Sequence, residues 1–184
     1  KVSTEHLLVI INGILDLSKV EAGKMTIDTV PMSLANVCNE VVTLFAPKAS
    51  QRSLILDYNY DKQLSSYVEG DPVRFKQIFS NLISNAIKFT REGGRISIDV
   101  RQSKNCDCDE FMARAEATEV TASMANYDDM TFCITVTDTG VGIKAESLNA
   151  IFDAYNQADK STHRLYGGTG LGLSVCKSLV SMMG

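Results

Sequence analysis

The stretch from Asp71 to Thr90, DPVRFKQIFSNLISNAIKFT, constrains the fold more than any other part of the chain. Asp71 is a good helix N-cap and Pro72 suits the first helical position, so the start of a helix is marked. Phe75, Ile78, Phe79, Leu82, Ile83 and Phe89 then occupy much of the helical wheel. A helix that is apolar nearly all round has to be buried. Its polar residues Arg74, Gln77, Asn81, Asn85 and Lys88 fall within about 80° of one another. Such a stripe faces either water or a ligand. Solvated faces usually carry Glu and Lys, whereas two asparagines one turn apart are poor helix formers. Amide oxygens are, however, hard donors that suit a magnesium ion keeping several of its waters. The stripe is read as a ligand site in preference to a solvated face.

Two glycine-bearing stretches follow. DTGVGI, Asp138 to Ile143, comes straight off a strand pattern. Gly140 and Gly142 would let the backbone approach a flat ligand, and Asp138 offers a carboxylate to an exocyclic amine. YGGTGLGLSV, Tyr166 to Val175, spends a third of the chain's 12 glycines just before an apolar run. Gly168, Gly170 and Gly172 precede a helix start, which presents N–H groups and a positive helix end to a polyphosphate. The stretch is not a Walker loop, and no strand precedes it as a dinucleotide fingerprint requires.

The rest of the chain places these stretches. Residues 3–23 read as a helix ending near Gly23, with Leu7, Ile11, Ile14 and Ser18 at near-heptad spacing, the mark of a bundle seam. A short extended piece, KMTIDTV, follows, then a second helix from about Ser33 to Ser50 with a kink or stop near Pro47. SLILDYNY reads as a strand and SSYVEG as a weaker one; GGRISIDVR and MTFCITVTD are strands by alternation and β-branching. Ser103 to Asp129 holds two basic against seven acidic residues, enough to account for the formal charge of −4 of the whole chain. That segment reads as a long loop, with room for a few helical turns around Met112 to Val120. The order of elements gives an α+β fold, an α/β sandwich with a helical appendage.

Composition excludes several classes. Nothing in the charge points to nucleic acid, and no segment approaches the roughly 18 apolar residues of a membrane span. The cysteines Cys38, Cys106, Cys108, Cys133 and Cys176 are odd in number and mostly lie in apolar patterns. They read as reduced thiols in a cytosolic setting, and the lone Cys106-x-Cys108 pair lacks the partners of a zinc site. Both ends fall inside regular patterns, so the chain reads as part of a longer protein, which can carry a membrane anchor elsewhere.

In order, NLISNAIKFT, DTGVGI, IFDAYNQAD and YGGTGLGLSV resemble the N, G1, F and G2 boxes of sensor histidine kinases. These belong to the ATP-binding superfamily shared with gyrase-type and chaperone ATPases. The first helix resembles the end of that family's dimerisation hairpin. The resemblance implies a two-layer Bergerat-type sandwich, a mixed sheet packed on helices, over 24–184, preceded by the end of the hairpin over 1–23. It implies further strands after Gly184, whose absence would leave an open sheet edge.

It also assigns roles. Asn85 would ligate magnesium, with Asn81 organising the ion and its waters, and Lys88 would reach the phosphates of ATP. Asp138 would accept from the adenine amino group, in a pocket shaped by Gly140 and Gly142. Phe152 and Tyr155 would anchor a lid in which Arg164 pairs the γ-phosphate. Gly168, Thr169, Gly170, Leu171 and Gly172 would close over the phosphates. The implied chemistry is phosphoryl transfer to a histidine on a separate helix. His6 is not read as that acceptor, because it sits in the part resembling the hairpin's second helix and the His-Glu, Arg-Thr-Pro signature is absent; His163 reads as a loop residue. The implied partners are the protein's own dimerisation hairpin, as a homodimer at full length, and a response-regulator receiver domain.

Two features depart from the family pattern. Tyr155 stands where Phe is common, and 103–129 is longer than the hairpin usual in bacterial members, as in eukaryotic hybrid kinases including plant hormone-receptor types. Two other activities are compatible with the boxes: ATP hydrolysis, although relatives that hydrolyse generally place a Glu where this chain has Asn81, and ATP binding without transfer.

Overall fold

The computed structural model describes residues 2–65, 67–103, 119–124, 131–148, 150–154 and 170–183. Helix α1 (Val2–Glu21) ends where Gly23 N–H bonds the Val20 carbonyl at 2.9 Å and Lys24 N–H bonds Lys19 at 2.9 Å, closing the last turn. Strand β1 (Val30–Met32) leads into α2 (Leu34–Gln51), whose N-cap Ser33 accepts from Asn36 N–H. Strands β2 (Ile55–Tyr60) and β3 (Val68–Gly70) precede α3 (Pro72–Phe89). Then come β4 (Arg95–Ser103), β5 (Glu119–Met124) and β6 (Thr131–Asp138). Two short 3₁₀ turns, Ala145–Ser147 and Ala150–Phe152, lie before α4 (Gly172–Met183).

Four strands form one mixed sheet in the order β2-β4-β6-β5, with β2 and β4 parallel and the other pairs antiparallel. β1 and β3 make a separate antiparallel pair. The sheet's alternation sets the layers: Ile96, Ile98 and Val100 of β4 and Phe132, Ile134 and Val136 of β6 are all buried, with Ile98 opposite Val136 and Val100 opposite Ile134. The helices cover that face, α2 against β2, α3 against β6 and α4 against β5. Phe75 of α3 stacks at a tilt between Phe79 and Phe132, with centroids 6.0 and 6.3 Å away. This is the α+β sandwich read from the sequence.

One local expectation is corrected and two are made more specific. α2 runs over the expected span, Leu34 to Gln51, and of the kink or stop read at Pro47 the stop is excluded. Proline inside a helix costs about 3 kcal/mol, but Phe45 and Ala49, on either side of it, are buried in the core, and their burial works against that cost. β5 lies inside the segment expected to be a loop. EVTASM is weak as a strand by itself, and it forms because the free edge of β6 offers a complete ladder from Phe132 to Thr137. The extended piece before α2 pairs only from Val30 onward, and its partner is β3. The expected helical turns around Met112 lie mainly outside the described residues.

Asp71 fixes where α3 begins. Its Oδ1 accepts from Val73 N–H at 2.9 Å and Arg74 N–H at 3.0 Å, while Oδ2 accepts from Asp28 N–H at 3.2 Å. The cap is buried and ties the chain before β1 to the helix.

Candidate functional site

The polar stripe of α3 divides in two. Its first half does not face a ligand: Gln77 Nε2 donates to Asp16 Oδ2 of α1 at 2.7 Å, and Arg74 Nη1 reaches Asp16 Oδ1 at 3.4 Å. Asn81, Asn85 and Lys88, all half-buried, make up the second half. The sequence could not separate the two halves, because both read alike on the wheel and Asp16 lies far away in the chain. A cleft of about 490 Å³ between α1 and α3, lined by Asn12, Leu15, Asp16, Arg74, Gln77 and Ser80 among others, belongs to the first half.

The end of α3 is held by a residue without a motif. Arg52 donates through Nη1 to the carbonyls of Ile87 and Lys88, and through Nη2 to Thr90 at 3.1 Å. These are carbonyls at a helix C-terminus, where they lack helical partners and attract a cation. Burial pushes the Lys88 ammonium below its ordinary pKa, and its Nζ lies 4.6 Å from the centre of the Phe89 ring.

Asp138 ends β6 beside this terminus. Its Oδ1 accepts from Gly140 N–H at 2.7 Å and lies 3.5 Å from the Thr90 hydroxyl, which donates more closely to Ala86 O at 2.6 Å. Burial raises the Asp138 carboxyl above its usual range, while Gly140 and Thr90 pull it partly back. A Cβ on Gly140 would sit 2.5 Å from both Phe89 O and Asp138 Oδ1. Only glycine lets the backbone pass so near, and the loop is thereby pressed onto the end of α3. Gly142 and Gly170 have positive φ, at 69° and 71°.

The second glycine segment meets α3 about two turns earlier. A Cβ on Gly172 would lie 2.4 Å from Asn81 Oδ1, so this glycine is required by a side chain of the protein itself. Asn81 Nδ2 donates to the Cys176 sulfur at 3.1 Å. Leu171 is buried and Phe152 lies under Lys177, whose Nζ is 5.8 Å from the ring centre. Tyr155, His163, Arg164, Gly168 and Thr169 lie outside the described residues, as does the side chain of His6.

α3 is thus the common element: Gly140 closes on its end at Phe89 and Gly172 on its middle at Asn81. Among the described residues no cluster of His, Cys, Asp or Glu could hold a metal ion. The amide oxygens of Asn81 and Asn85, on the same half of the stripe, would suit a magnesium ion that keeps most of its waters and shares phosphate oxygens. Among the described residues no helix is long and apolar enough to cross a membrane.

A sheet backed by helices, with a half-buried carboxylate and two glycine segments converging on one helix, defines a nucleotide-binding domain of the ATPase class. Residues 70–184, more than half of the chain, match the model of the histidine kinase-, DNA gyrase B-, and HSP90-like ATPases, and the chain belongs to that family. It is 40% identical over 182 residues to the sensor protein GacS of Pseudomonas syringae pv. syringae, covering 99% of this chain and 18% of that protein. The chain therefore spans about a fifth of the length of such a relative. Full-length ShkA, solved in complex with AMPPNP, shares the fold with a TM-score of 0.71 at 24% identity, over 99% of this chain and 32% of ShkA. Histidine kinase ThkA, solved in complex with the response regulator TrrA, does so with a TM-score of 0.62 at 22% identity, over 98% and 42%.

Proposed function

We propose that this chain is the ATP-binding catalytic part of a sensor histidine kinase, with 1–23 the end of a dimerisation hairpin and 24–184 the catalytic domain. The observation that carries the reading is the convergence on α3 of both glycine segments, at Phe89 and at Asn81. Asp138 accepts from the adenine amino group, in a pocket that Gly140 and Gly142 shape. Asn85 ligates magnesium, Asn81 orders the ion's waters, and Lys88 pairs with phosphate. Phe152 and Tyr155 anchor the lid, Arg164 reaches the γ-phosphate, and the backbone from Gly168 through Thr169, Gly170 and Leu171 to Gly172 covers the phosphates.

Bound magnesium–ATP supplies the phosphoryl group and neutralises its charge. The residues of this chain orient it for in-line attack and exclude water. A neutral imidazole is already a nucleophile, so the donor domain needs no strong base. Asn81 provides none, and its amide nitrogen is engaged with Cys176, which supports transfer over hydrolysis. The partners on this reading are the hairpin carrying the acceptor histidine, in a homodimer, and a receiver domain.

The test is incubation with γ-labelled ATP, magnesium and the parent protein's hairpin. Acid-labile label on the hairpin is expected, lost in Asn85→Ala. Binding without transfer would leave an ATP-sensing scaffold, and phosphate release without an acceptor would make the chain a hydrolase.

A further inference from the structure

The first turns of α4 meet α3 at the Asn81 carboxamide from two sides. The Gly172 backbone lies so near that an added Cβ would stand 2.4 Å from Oδ1 and 2.8 Å from Nδ2. One turn later the sulfur of Cys176 lies 3.1 Å from Nδ2. Cys176 is buried, as are the core residues Val175 and Leu179 of the same helix.

The thiol has a second neighbour, the Ile78 carbonyl oxygen, at 3.9 Å. A carbonyl oxygen can only accept, so the thiol proton is directed to Ile78 and the sulfur is left as an acceptor for Asn81. That order of donors decides which way the carboxamide points. Its nitrogen goes to sulfur, and Oδ1, the hard donor that a cation or its waters can use, stays uncommitted to Cys176. In the opposite orientation the amide would present an N–H₂ group to a cation, which is repulsive.

We propose that Cys176 is a positioning residue for magnesium–nucleotide binding, which together with Gly172 sets the orientation of the Asn81 carboxamide. The inference rests on the nucleotide site proposed above. It also makes α4, the helix that follows the second glycine segment, the element that prepares α3 for the ion.

The experiment is calorimetric titration with ADP, with and without magnesium, on the unsubstituted chain, Cys176→Val, Cys176→Ser and Gly172→Ala, with Tm measured for each. Valine keeps the apolar packing and removes the acceptor. Magnesium-free affinity is expected to hold in Cys176→Val, while the gain from magnesium shrinks about fivefold, the worth of one hydrogen bond. Serine, which keeps a donor and an acceptor, should restore most of the gain. Gly172→Ala, which displaces the same carboxamide sterically, should lose it without touching Cys176. In the nucleotide-free protein, the Asn81 side-chain N–H₂ resonances should move and exchange faster in Cys176→Val and return toward the original in Cys176→Ser.

An undiminished magnesium gain in Cys176→Val, or an equal loss with and without magnesium, would make Cys176 a packing residue and overturn the proposal. If Cys176→Val does not fold, Cys176→Ser and Gly172→Ala decide, and a full gain in Gly172→Ala overturns it. If the unsubstituted chain gains nothing from magnesium, the nucleotide-site reading fails. The Asn81 resonances then still report whether Cys176 orients the amide.

Discussion

Gln77 Nε2 and Asp16 Oδ2, 2.7 Å apart, join α3 to the helix that precedes the sandwich. Arg74 adds a second contact to the same carboxylate, and the two charged side chains are only 22% and 14% exposed. Beside them Gly13 lies against Leu171 and Leu17 is buried, so α1 also touches the segment leading into α4. Asp16→Ala removes the acceptor for both donors and leaves Arg74 half-buried without its counter-charge. Amide exchange across residues 11–20 should rise about fivefold, as the loss of about 1 kcal/mol implies for a partly exposed pair. β4 and β6 should keep their protection. Unchanged exchange in α1 would mean that apolar contact alone holds it.

Arg52 is expected to matter as much as the motif residues near it. Arg52→Ala strips three carbonyls at the end of α3 of their donor. The cost should be about 1–3 kcal/mol in urea unfolding, as for partly buried hydrogen bonds to a charged group. Nucleotide affinity should fall too, because Lys88 and the Asp138 loop rest on that terminus. Arg52→Lys, a point charge without the guanidinium fork, should recover only part of the loss.

Gly140→Ala tests the closeness of the loop to α3. The new Cβ would meet a backbone oxygen, Phe89 O, at 2.5 Å, and backbone cannot swing aside. A stability loss of about 1–3 kcal/mol is expected from such overpacking, together with loss of nucleotide binding. Thermal unfolding and a single titration measure both. An alanine variant with native stability would show that the loop has room to shift.

What the sequence disclosed follows a physical line. The cap at Asp71 and the apolar wheel of α3 are local patterns, and the structure has them where expected. Contacts between distant segments were hidden. Arg52 reads as an ordinary surface cation after a helix until α3 ends beside it. Asp16 gave no sign that it would take Gln77 and Arg74 away from the ligand stripe. Cys176 looked like any thiol in an apolar run. β5 was missed for the same reason, since its pairing comes from β6 and not from the propensities of EVTASM. Gly172 was legible as a glycine that something must approach closely, but the approaching group is Asn81 of the chain itself.

Asp138 carries a pH signature. Its folded pKa lies above the ordinary 3.8, chiefly through burial. The folded state therefore holds the proton more tightly than the unfolded state, and stability falls as pH rises from that ordinary value through the raised folded value. At pH 7 the full cost of the partly desolvated charge is present. Asp138→Asn removes the charge and keeps an acceptor for Gly140 N–H, so the variant should be more stable than the parent at pH 7. The difference should shrink as pH falls through the raised pKa and vanish below the ordinary one. Denaturant midpoints across pH check this; a variant less stable at pH 7 would contradict it.

The central claim is that these residues form a magnesium-dependent adenine nucleotide site. Its most direct test is calorimetric titration of the folded chain with ATP and ADP, with and without magnesium, beside Asp138→Asn. The account predicts binding that reaches full strength only with magnesium and weakens at least about tenfold in the variant, the worth of one hydrogen bond to a charged acceptor. Absence of binding by the folded chain, or equal binding by Asp138→Asn, would contradict it.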